Sequence, residues 1–224
     1  MLESILVVKE ALPYILQGAL VTVGIVLGAM GIGLALGIPV AVVQVYSPRT
    51  FGLLASAYVW FFRGIPVLVL LFLFYFGLFS LIGLNISAFA AAVIVLGLRG
   101  GAYQSQIFRG AILSLPRGQM KAARALGMSD VQAIQSIILP QALRLSIPGW
   151  SNEYSIVLKD SAIAFVLGTS EIMSRTHFVA SRTYEHLPLY LAAGAVFFIL
   201  TTIGLRSLRA LEKKVSLPGY STHS

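Results

Sequence analysis

The sequence predicts an all-α integral membrane protein with five transmembrane helices. Of its 224 residues, 58% are hydrophobic and 11% are charged, whereas about 25% of residues are charged in an average soluble domain. The mean hydropathy is +0.89. Uncharged stretches alternate with short polar segments along the chain, and roughly 20 consecutive apolar residues suffice for a helix to cross a bilayer.

Five stretches are predicted to cross the membrane, although charged residues interrupt three of them. The first has no charge from Ala11 to Pro48, and its glycines include pairs spaced four apart, which permit close packing against another helix. The second is broken near Gly64 and Pro66, because proline removes a backbone donor and disfavours helix at the preceding residue. The predicted spans are residues 11–48, 51–80, 86–113, 131–167 and 187–205.

Short polar segments join these spans. We expect residues 1–10 to form a short amphipathic helix at the outer interface or to fray, and residues 168–187 to form an external loop with a short helix. Residues 1–215 then make a single membrane domain, followed by a cytoplasmic tail at 216–224. The N-terminus does not resemble a cleaved signal peptide, and the absence of cysteine excludes disulfides and thiol metal sites.

Basic residues set the predicted orientation, because cytoplasmic loops are enriched in lysine and arginine. With the N-terminus outside and the C-terminus in the cytoplasm, nine basic residues face inward and three face outward. The inward set is Arg49, Arg109, Arg117, Lys121, Arg124, Arg206, Arg209, Lys213 and Lys214, and the outward set is Lys9, Arg175 and Arg182. Topology therefore explains the net charge of +8, and no nucleic-acid partner is expected.

A polar segment at residues 114–130 joins the third and fourth spans. Ser114 and Pro116 are typical of a helix start, and Gly127 is typical of the left-handed residue that follows a helix end. Ser129 is placed to cap a second helix. Between these signals lie several alanines, and a helix with a surface of small residues can approach another protein's backbone closely. The segment therefore predicts a docking element between two membrane spans.

The order Ala122-Ala123, Gly127, Ile137 and Leu139-Pro140 resembles the coupling motif of ABC-importer permeases. Three flanking segments, AYQSQIFRGAI (102–112), LPQALR (139–144) and LKDSA (158–162), are similar to the polar amino-acid subfamily, and the likeness covers nearly the whole chain. The resemblance implies the type I ABC-importer permease architecture in the cell membrane. It also implies three partners: an ATPase dimer, a second permease subunit that is a copy or a paralogue, and an extracellular or periplasmic solute-binding protein.

In the family, this motif contacts the ATPase. The resemblance therefore assigns coupling to residues of the helix expected at 116–128, namely Arg117, Lys121, Ala122, Ala123 and Gly127. Lys121 stands where the family has glutamate, which reverses a charge at the docking surface. Gln106 likewise stands where the family often has glutamate.

Nothing in the sequence supports catalysis by this chain. It lacks the phosphate-binding pattern GxxxxGK[ST], the metal-binding pattern HExxH and a nucleophile elbow. We expect no cofactor or metal in the chain itself, with ATP and magnesium bound by the partner ATPase. ATP binding would close that partner, move the helix at 116–128 and rock the attached third and fourth spans, so that a site at the midplane opens alternately to each side.

Charged residues inside spans are the candidates for the substrate site, since each costs about 2.5–3.5 kcal/mol to insert. We expect Arg63, Arg99, Glu153 and Asp160 to bind an amino acid, with a guanidinium on its carboxylate and a carboxylate on its ammonium. Alternatively, the arginines pair with Glu153 or Asp160 as structural links between helices. Asp160 and its neighbour Lys159 could also lie at the outer interface.

The sequence thus predicts the transmembrane subunit of an ATP-driven importer of polar amino acids. One alternative is an ATP-independent channel or secondary transporter, for which the five spans show no inverted repeat. A second is a scaffold that docks a soluble partner, which charged residues inside the spans disfavour. A third is a member of the same family that carries an opine or another small charged solute.

Overall fold

The computed structural model describes residues 2–215, with side chains from residue 4 onward, and this part of the chain is helical with no β-strand, as predicted. The helices are α1 (Leu2–Tyr46), α2 (Arg49–Gly64), α3 (Val67–Phe72), α4 (Ala88–Ser114), α5 (Gly118–Ala125), α6 (Asp130–Ala133), α7 (Leu139–Asp160), α8 (Ile172–Thr183) and α9 (His186–Val215). A π-helix at Leu73–Phe79 extends α3, another at Ile134–Ile138 joins α6 to α7, and a 3₁₀-helix at Ser161–Leu167 follows α7. The predicted tail at 216–224 lies outside the described residues.

α1 is one helix of 45 residues, about 67 Å long at 1.5 Å per residue. This is more than twice the roughly 30 Å thickness of a bilayer core. Residues 2–10, expected to form a separate helix or to fray, instead continue α1 without a break. The extra length lets α1 both line the membrane-embedded helices and contact α8 near its N-terminal end.

α1 packs against α4 through glycines, as their spacing predicts. A Cβ added at Gly28 would lie 2.7 Å from Val93, and one at Gly37 would lie 3.0 Å from the Cβ of Gln104. At Gly33, an added Cβ would overlap the side-chain amide of Gln104. Only glycine lets the two helix backbones approach this closely.

The second predicted span is broken where expected. α2 and the helix that starts at α3 are bent by 107°. Ile65 between them is extended, with φ −105° and ψ 134°, because the ring of Pro66 disfavours helical geometry at the preceding residue. The break leaves Arg63 in the last turn of α2, at the open end of the helix and facing α4.

The segment that joins α4 to α7 forms two short helices, slightly displaced from the prediction. α5 begins at Gly118 rather than near Pro116. Ser114 does not cap it, since its hydroxyl donates to the carbonyl of Ala111 at 2.8 Å. Gly127 has φ +81°, which confirms the predicted left-handed residue after the helix end.

Ser129 caps α6, as predicted. Its hydroxyl accepts from the backbone N–H of Gln132 at 3.3 Å, and the Gln132 side chain accepts from the N–H of Ser129 at 2.9 Å. The π-helix after α6 then leads directly into α7. The coupling segment is therefore attached to α4 on one side and to α7 on the other.

The predicted external segment at 168–187 contains α8, the short helix expected there. Glu171 is fully buried and caps α8 by accepting from the backbone N–H groups of Met173 and Ser174 at 2.8 and 2.7 Å. The backbone of Glu171 lies so close to Gly18 of α1 that an added Cβ would approach it to 2.8 Å. These contacts fix α8 against α1.

Two described helices are long and apolar enough to cross a membrane, namely Ser4–Tyr46 and His186–Val215. The bent pair of α2 and α3 makes a third if it is one span. α4 and α7, with 27 and 22 residues, carry the polar side chains of the predicted third and fourth spans. α1 packs against both of them, and α9 covers α7. The polar helices therefore lie against apolar ones, as expected where charged groups are kept away from lipid.

Candidate functional site

Arg99 of α4 and Asp160 at the end of α7 form an ion pair. Nη1 of Arg99 lies 2.6 Å from Oδ2 of Asp160, and the two side chains are 14% and 22% exposed. A charge among packed helices is costly unless it has a partner, and here each charge has one. The pair links α4 to α7.

Glu153 lies seven residues before Asp160, and two helical turns place both residues on the same face of α7. Its side chain is buried, and its Oε1 has no hydrogen-bond partner among the described residues. The Glu153 carboxyl group lies close enough to Arg99, Asp160 and Arg63 to interact electrostatically with all three. Folded proteins seldom leave a buried polar atom unpaired, so this oxygen is a candidate for contact with a cationic group of a substrate.

Tyr103 brings the two arginines together. The guanidinium carbons of Arg99 and Arg63 lie 4.7 and 4.9 Å from the centre of its ring, within the range of cation–π attraction. The four predicted substrate residues therefore form one cluster, contributed by α2, α4 and α7. Lys159 is exposed and forms no hydrogen bond or ion pair with them.

A buried amide next to this cluster was not predicted. Gln104 of α4 is fully buried and accepts a hydrogen bond from Nε1 of Trp150 at 2.8 Å. Its Nε2 lies 3.7 Å from the sulfur of Met30, so α1, α4 and α7 meet at this one side chain. A neutral amide in an apolar stretch gives no charge signal, and only its position inside a predicted span could have singled it out.

The coupling segment exposes most of the residues that the resemblance assigned to ATPase contact. Arg117, Lys121, Ala122 and Gly127 are exposed. Ala123 is 1% exposed, so it positions α5 against the rest of the protein and is not free to contact a partner.

Two side-chain links hold α5 in place. Gln119 and Gln141 exchange hydrogen bonds of 2.9 and 3.0 Å, which tie α5 to the start of α7. Arg124 donates to both carboxylate oxygens of Asp130 at 2.7 and 3.0 Å. This hydrogen-bonded pair lowers the pKa of Asp130 and raises the pKa of Arg124. The first link connects α5 to α7, and the second connects α5 to α6.

The described residues contain no candidate metal site. Within residues 4–215, no group of three or more histidine, cysteine, aspartate or glutamate side chains could hold a metal ion. The arginine–carboxylate cluster and the exposed coupling segment are the candidate functional features, and α4 and α7 lie between them in the chain.

A family model identifies the protein's class. Residues 33–217 match the binding-protein-dependent transport system inner membrane component. The chain belongs to this family. The match covers the arginine–carboxylate cluster and the coupling segment. It confirms the prediction of a membrane-embedded permease subunit of the ABC-importer type. In such importers, ATP is hydrolysed by a separate subunit.

Individual relatives agree with this assignment. The permease is 36% identical to the arginine transport system permease protein ArtQ of Bacillus subtilis strain 168, over 91% of this chain and 93% of that protein. It is 32% identical to the octopine transport system permease protein OccQ of Rhizobium radiobacter, over 89% of this chain and 92% of that protein.

Solved structures show the same fold. An amino acid ABC transporter crystallised with histidines superposes with a TM-score of 0.83 and 32% identity, over 93% of the permease and 97% of that chain. An inward-facing MetNI methionine ABC transporter has a TM-score of 0.81 at 19% identity, over 91% of the permease and 97% of that chain. The family assignment favours the importer over the channel and the scaffold.

Proposed function

We propose that this permease carries a polar amino acid into the cell as one of two membrane subunits, copies or paralogues, that assemble with an ATPase dimer and a solute-binding protein. The connectivity of the coupling segment carries the proposal. α4, with Arg99, ends where the segment begins. From its other end, α6 and a π-helix lead into α7, with Glu153 and Asp160. A movement of α5 driven by the ATPase thus reaches both sides of the charged cluster.

The proposed topology has five spans within a single domain at residues 1–215. They are α1, the bent pair of α2 and α3, α4, the continuous stretch from α6 through α7, and α9. The N-terminus and α8 lie outside, and the coupling segment at 114–130 lies in the cytoplasm together with the tail. Supporting this orientation, the exposed basic residues of α5 and the last turns of α9 then face the cytoplasm.

The charges of the cluster match those of a zwitterion. Two arginines and two carboxylates give a net charge of zero, but they are not symmetrically paired. Asp160 already holds Arg99, which leaves the Glu153 oxygen for the substrate's ammonium group and Arg63 for its carboxylate. Arginine can bind a carboxylate through two parallel hydrogen bonds. A neutral sugar would leave both charges unmatched.

Transport requires that ATP binding favours one of two arrangements of the permease. The coupling contacts of Arg117, Lys121, Ala122 and Gly127 supply this bias if they differ between the open and closed ATPase dimer. α5 then moves with the ATPase, the Gln119–Gln141 link carries α7, and the cluster is exposed to one side of the membrane at a time. ATP and magnesium stay in the partner throughout.

Reconstitution tests the proposal. The permease is purified from its native membrane with its bound subunits, placed in proteoliposomes with the binding protein, and assayed for ATPase stimulation and uptake with each standard L-amino acid. Stimulation by one amino acid supports the importer and names its cargo. Purification without an ATPase subunit would refute it.

The substrate site is tested in the same system. Alanine at Arg63, Arg99 and Asp160 together is expected to abolish uptake and substrate-stimulated ATPase activity. Lys159→Ala, a charge removed from the exposed neighbour of Asp160, serves as the control and is expected to retain both. Uptake by the triple variant would place the substrate site elsewhere.

A further inference from the structure

A polar cavity lies beside the charged cluster, and most residues that line this cavity are not part of the proposed substrate site. Its volume is about 530 Å³, which is within the range of pockets that bind small molecules. The side chains that give it its character are Gln44, Ser56, Arg63, Tyr103, Gln106 and Arg109. They come from α1, α2 and α4, and the cavity is open on the side away from these helices.

The polar wall is built from linked amides. Nε2 of Gln106 donates to Oε1 of Gln44 at 2.8 Å, and Nε2 of Gln44 donates to the hydroxyl of Ser56 at 3.2 Å. Three helices are joined by this chain of hydrogen bonds. The links hold the wall in place and leave the arginines of the cavity unoccupied.

The cavity has two positive charges and no negative one among its described lining residues. Arg63 contacts the Tyr103 ring, and neither Arg63 nor Arg109 forms an ion pair within the described part of the chain. In the cluster next to it, by contrast, Arg99 is held by Asp160 at 2.6 Å. The two adjacent sites share Arg63 but differ in charge. Counted with Arg63, the cluster has two arginines and two carboxylates, whereas the cavity has two arginines and no carboxylate.

α4 connects the two sites. Arg99, Tyr103 and Gln106 recur at intervals of four and three residues, which places them on one face of the helix, and Arg109 follows three residues later. This polar stripe runs about 15 Å along α4 at 1.5 Å per residue, from the Asp160 ion pair towards the coupling segment. A solute that leaves the cluster along this face meets Arg109 next.

Arg63 lies inside a predicted span and cannot face hydrocarbon without cost, so the open side of the cavity needs a polar neighbour. A second copy of this chain would bring few carboxylates to this depth. In the proposed topology its cytoplasmic half carries only Asp130, which is paired with Arg124, and Glu212 near the end of α9. Closing the cavity with a copy would thus add arginines and leave the excess positive charge for a mobile anion.

We propose that Arg63 and Arg109 form a second binding station, specific for the carboxylate group of the transported solute, which the solute occupies between the cluster and the cytoplasm. This proposal rests on the importer function and extends it to a residue, Arg109, outside the substrate cluster. The ammonium group has no carboxylate to contact here, so binding is weaker than in the cluster and suits a step on the way out.

A single thiol in the cavity can report its charge, because the natural chain contains no cysteine. Ser56→Cys places a thiol on the cavity wall. Gly64→Cys is a second reporter, since an added Cβ there meets nothing within 4 Å. Asn85→Cys, in the exposed turn between α3 and α4, is the control. The assembled transporter in nanodiscs is treated with an anionic sulfonatoethyl or a cationic trimethylammonioethyl methanethiosulfonate.

The ratio of the two reaction rates measures the local potential, because a change in the reactivity of the thiol itself affects both reagents equally. We expect the ratio of the anionic to the cationic reaction rate to be higher for both cavity thiols than for the control thiol. Arg63→Gln and Arg109→Gln are each expected to lower this ratio by about 3- to 10-fold, as removal of one nearby charge does in a partly screened site. Arg182→Gln, an arginine on α8, should leave it unchanged.

Protection by substrate tests the carboxylate. The amino acid that gives the largest ATPase stimulation should slow labelling of the cavity thiols, and its α-carboxamide should not. Equal rates for the two reagents, a ratio insensitive to both arginines, thiols that do not react, or equal protection by the carboxamide would each overturn the proposal. Because the charge ratio requires no transport, it decides the nature of the cavity even if no amino acid stimulates the ATPase.

Discussion

Two ion pairs of similar geometry lie in different surroundings in this permease. Arg99 and Asp160 approach to 2.6 Å with side chains 14% and 22% exposed, and Arg124 and Asp130 approach to 2.7 Å with both side chains 57% exposed. The first pair joins α4 to α7 next to the unpaired oxygen of Glu153. The second closes the turn between α5 and α6 at the surface.

The difference shows that distance alone does not measure what an ion pair contributes. When an exposed pair is broken, water and salt replace each partner. When a mostly buried pair is broken, neither water nor salt ions can fully replace the lost partner of the remaining charge. The Arg99–Asp160 pair therefore holds α4 and α7 together, whereas water or ions can replace the partners of the exposed Arg124–Asp130 pair.

The largest effect is expected from Asp160→Asn. It removes the counterion of Arg99 and leaves a poorly hydrated cation between helices, at a cost of about 3 kcal/mol. The purified assembly should unfold at a lower temperature and lose uptake. Asp130→Asn is the matched control and should change the unfolding temperature little. Equal shifts for the two variants would show that the surroundings do not distinguish the pairs.

Removing both charges separates structure from transport. Arg99→Met combined with Asp160→Leu replaces the pair by apolar side chains, which often restores stability. We expect the double variant to recover the unfolding temperature lost by Asp160→Asn but not uptake. Recovery of uptake as well would mean that the pair is only a structural link.

A neutral change in the interior is expected to have a smaller effect. Gly33→Ala puts a methyl group where the Gln104 amide lies and displaces it from Trp150. The cost should be about 1–2 kcal/mol, from strain and a weakened buried hydrogen bond. Gly31→Ala on the same helix meets nothing within 4 Å and should not destabilise. Thermal unfolding of both variants checks this, and similar losses would contradict the close packing of α1 on α4.

The sequence predicts features that depend on neighbouring residues better than features that depend on how helices pack. Charge-free stretches, the break at Gly64–Pro66 and the glycine spacing depend on local rules, and the structure agrees with them. Which arginine pairs with Asp160 depends on how α4 and α7 pack, and no local rule contains that information. The role of Gln104 was not predicted, because a neutral amide in an apolar stretch gives no charge signal. The start of α5 was misplaced because Ser114 has an equally local alternative, the carbonyl of Ala111.

In the coupling segment, we expect Lys121→Glu to act through the partner and not through the fold. Lys121 is exposed and stands where the family has glutamate, and we expect the partner's groove to be acidic at this point. Reversing the charge should weaken binding of the ATPase by about 1 kcal/mol, roughly fivefold. Binding of the purified ATPase to the permease in nanodiscs measures this. Lys121→Gln should give an intermediate loss, and tighter binding by Lys121→Glu would show that the groove is not acidic.

The smallest effect is expected from titrating Asp130. Arg124 lowers its pKa below the ordinary value of 3.8, so the carboxylate stabilises the turn above that value, and the contribution is lost as the pH falls through the lowered pKa. Amide exchange of residues 118–133, corrected for intrinsic rates, should therefore accelerate as the pH falls below 3.8, but not in Asp130→Asn. Added salt should have the same effect at neutral pH, since the pair is exposed. Identical pH profiles for the two proteins would show that the ion pair does not hold the turn. Salt should change the exchange of α4 around Arg99 less, because the side chains of that pair are only 14% and 22% exposed.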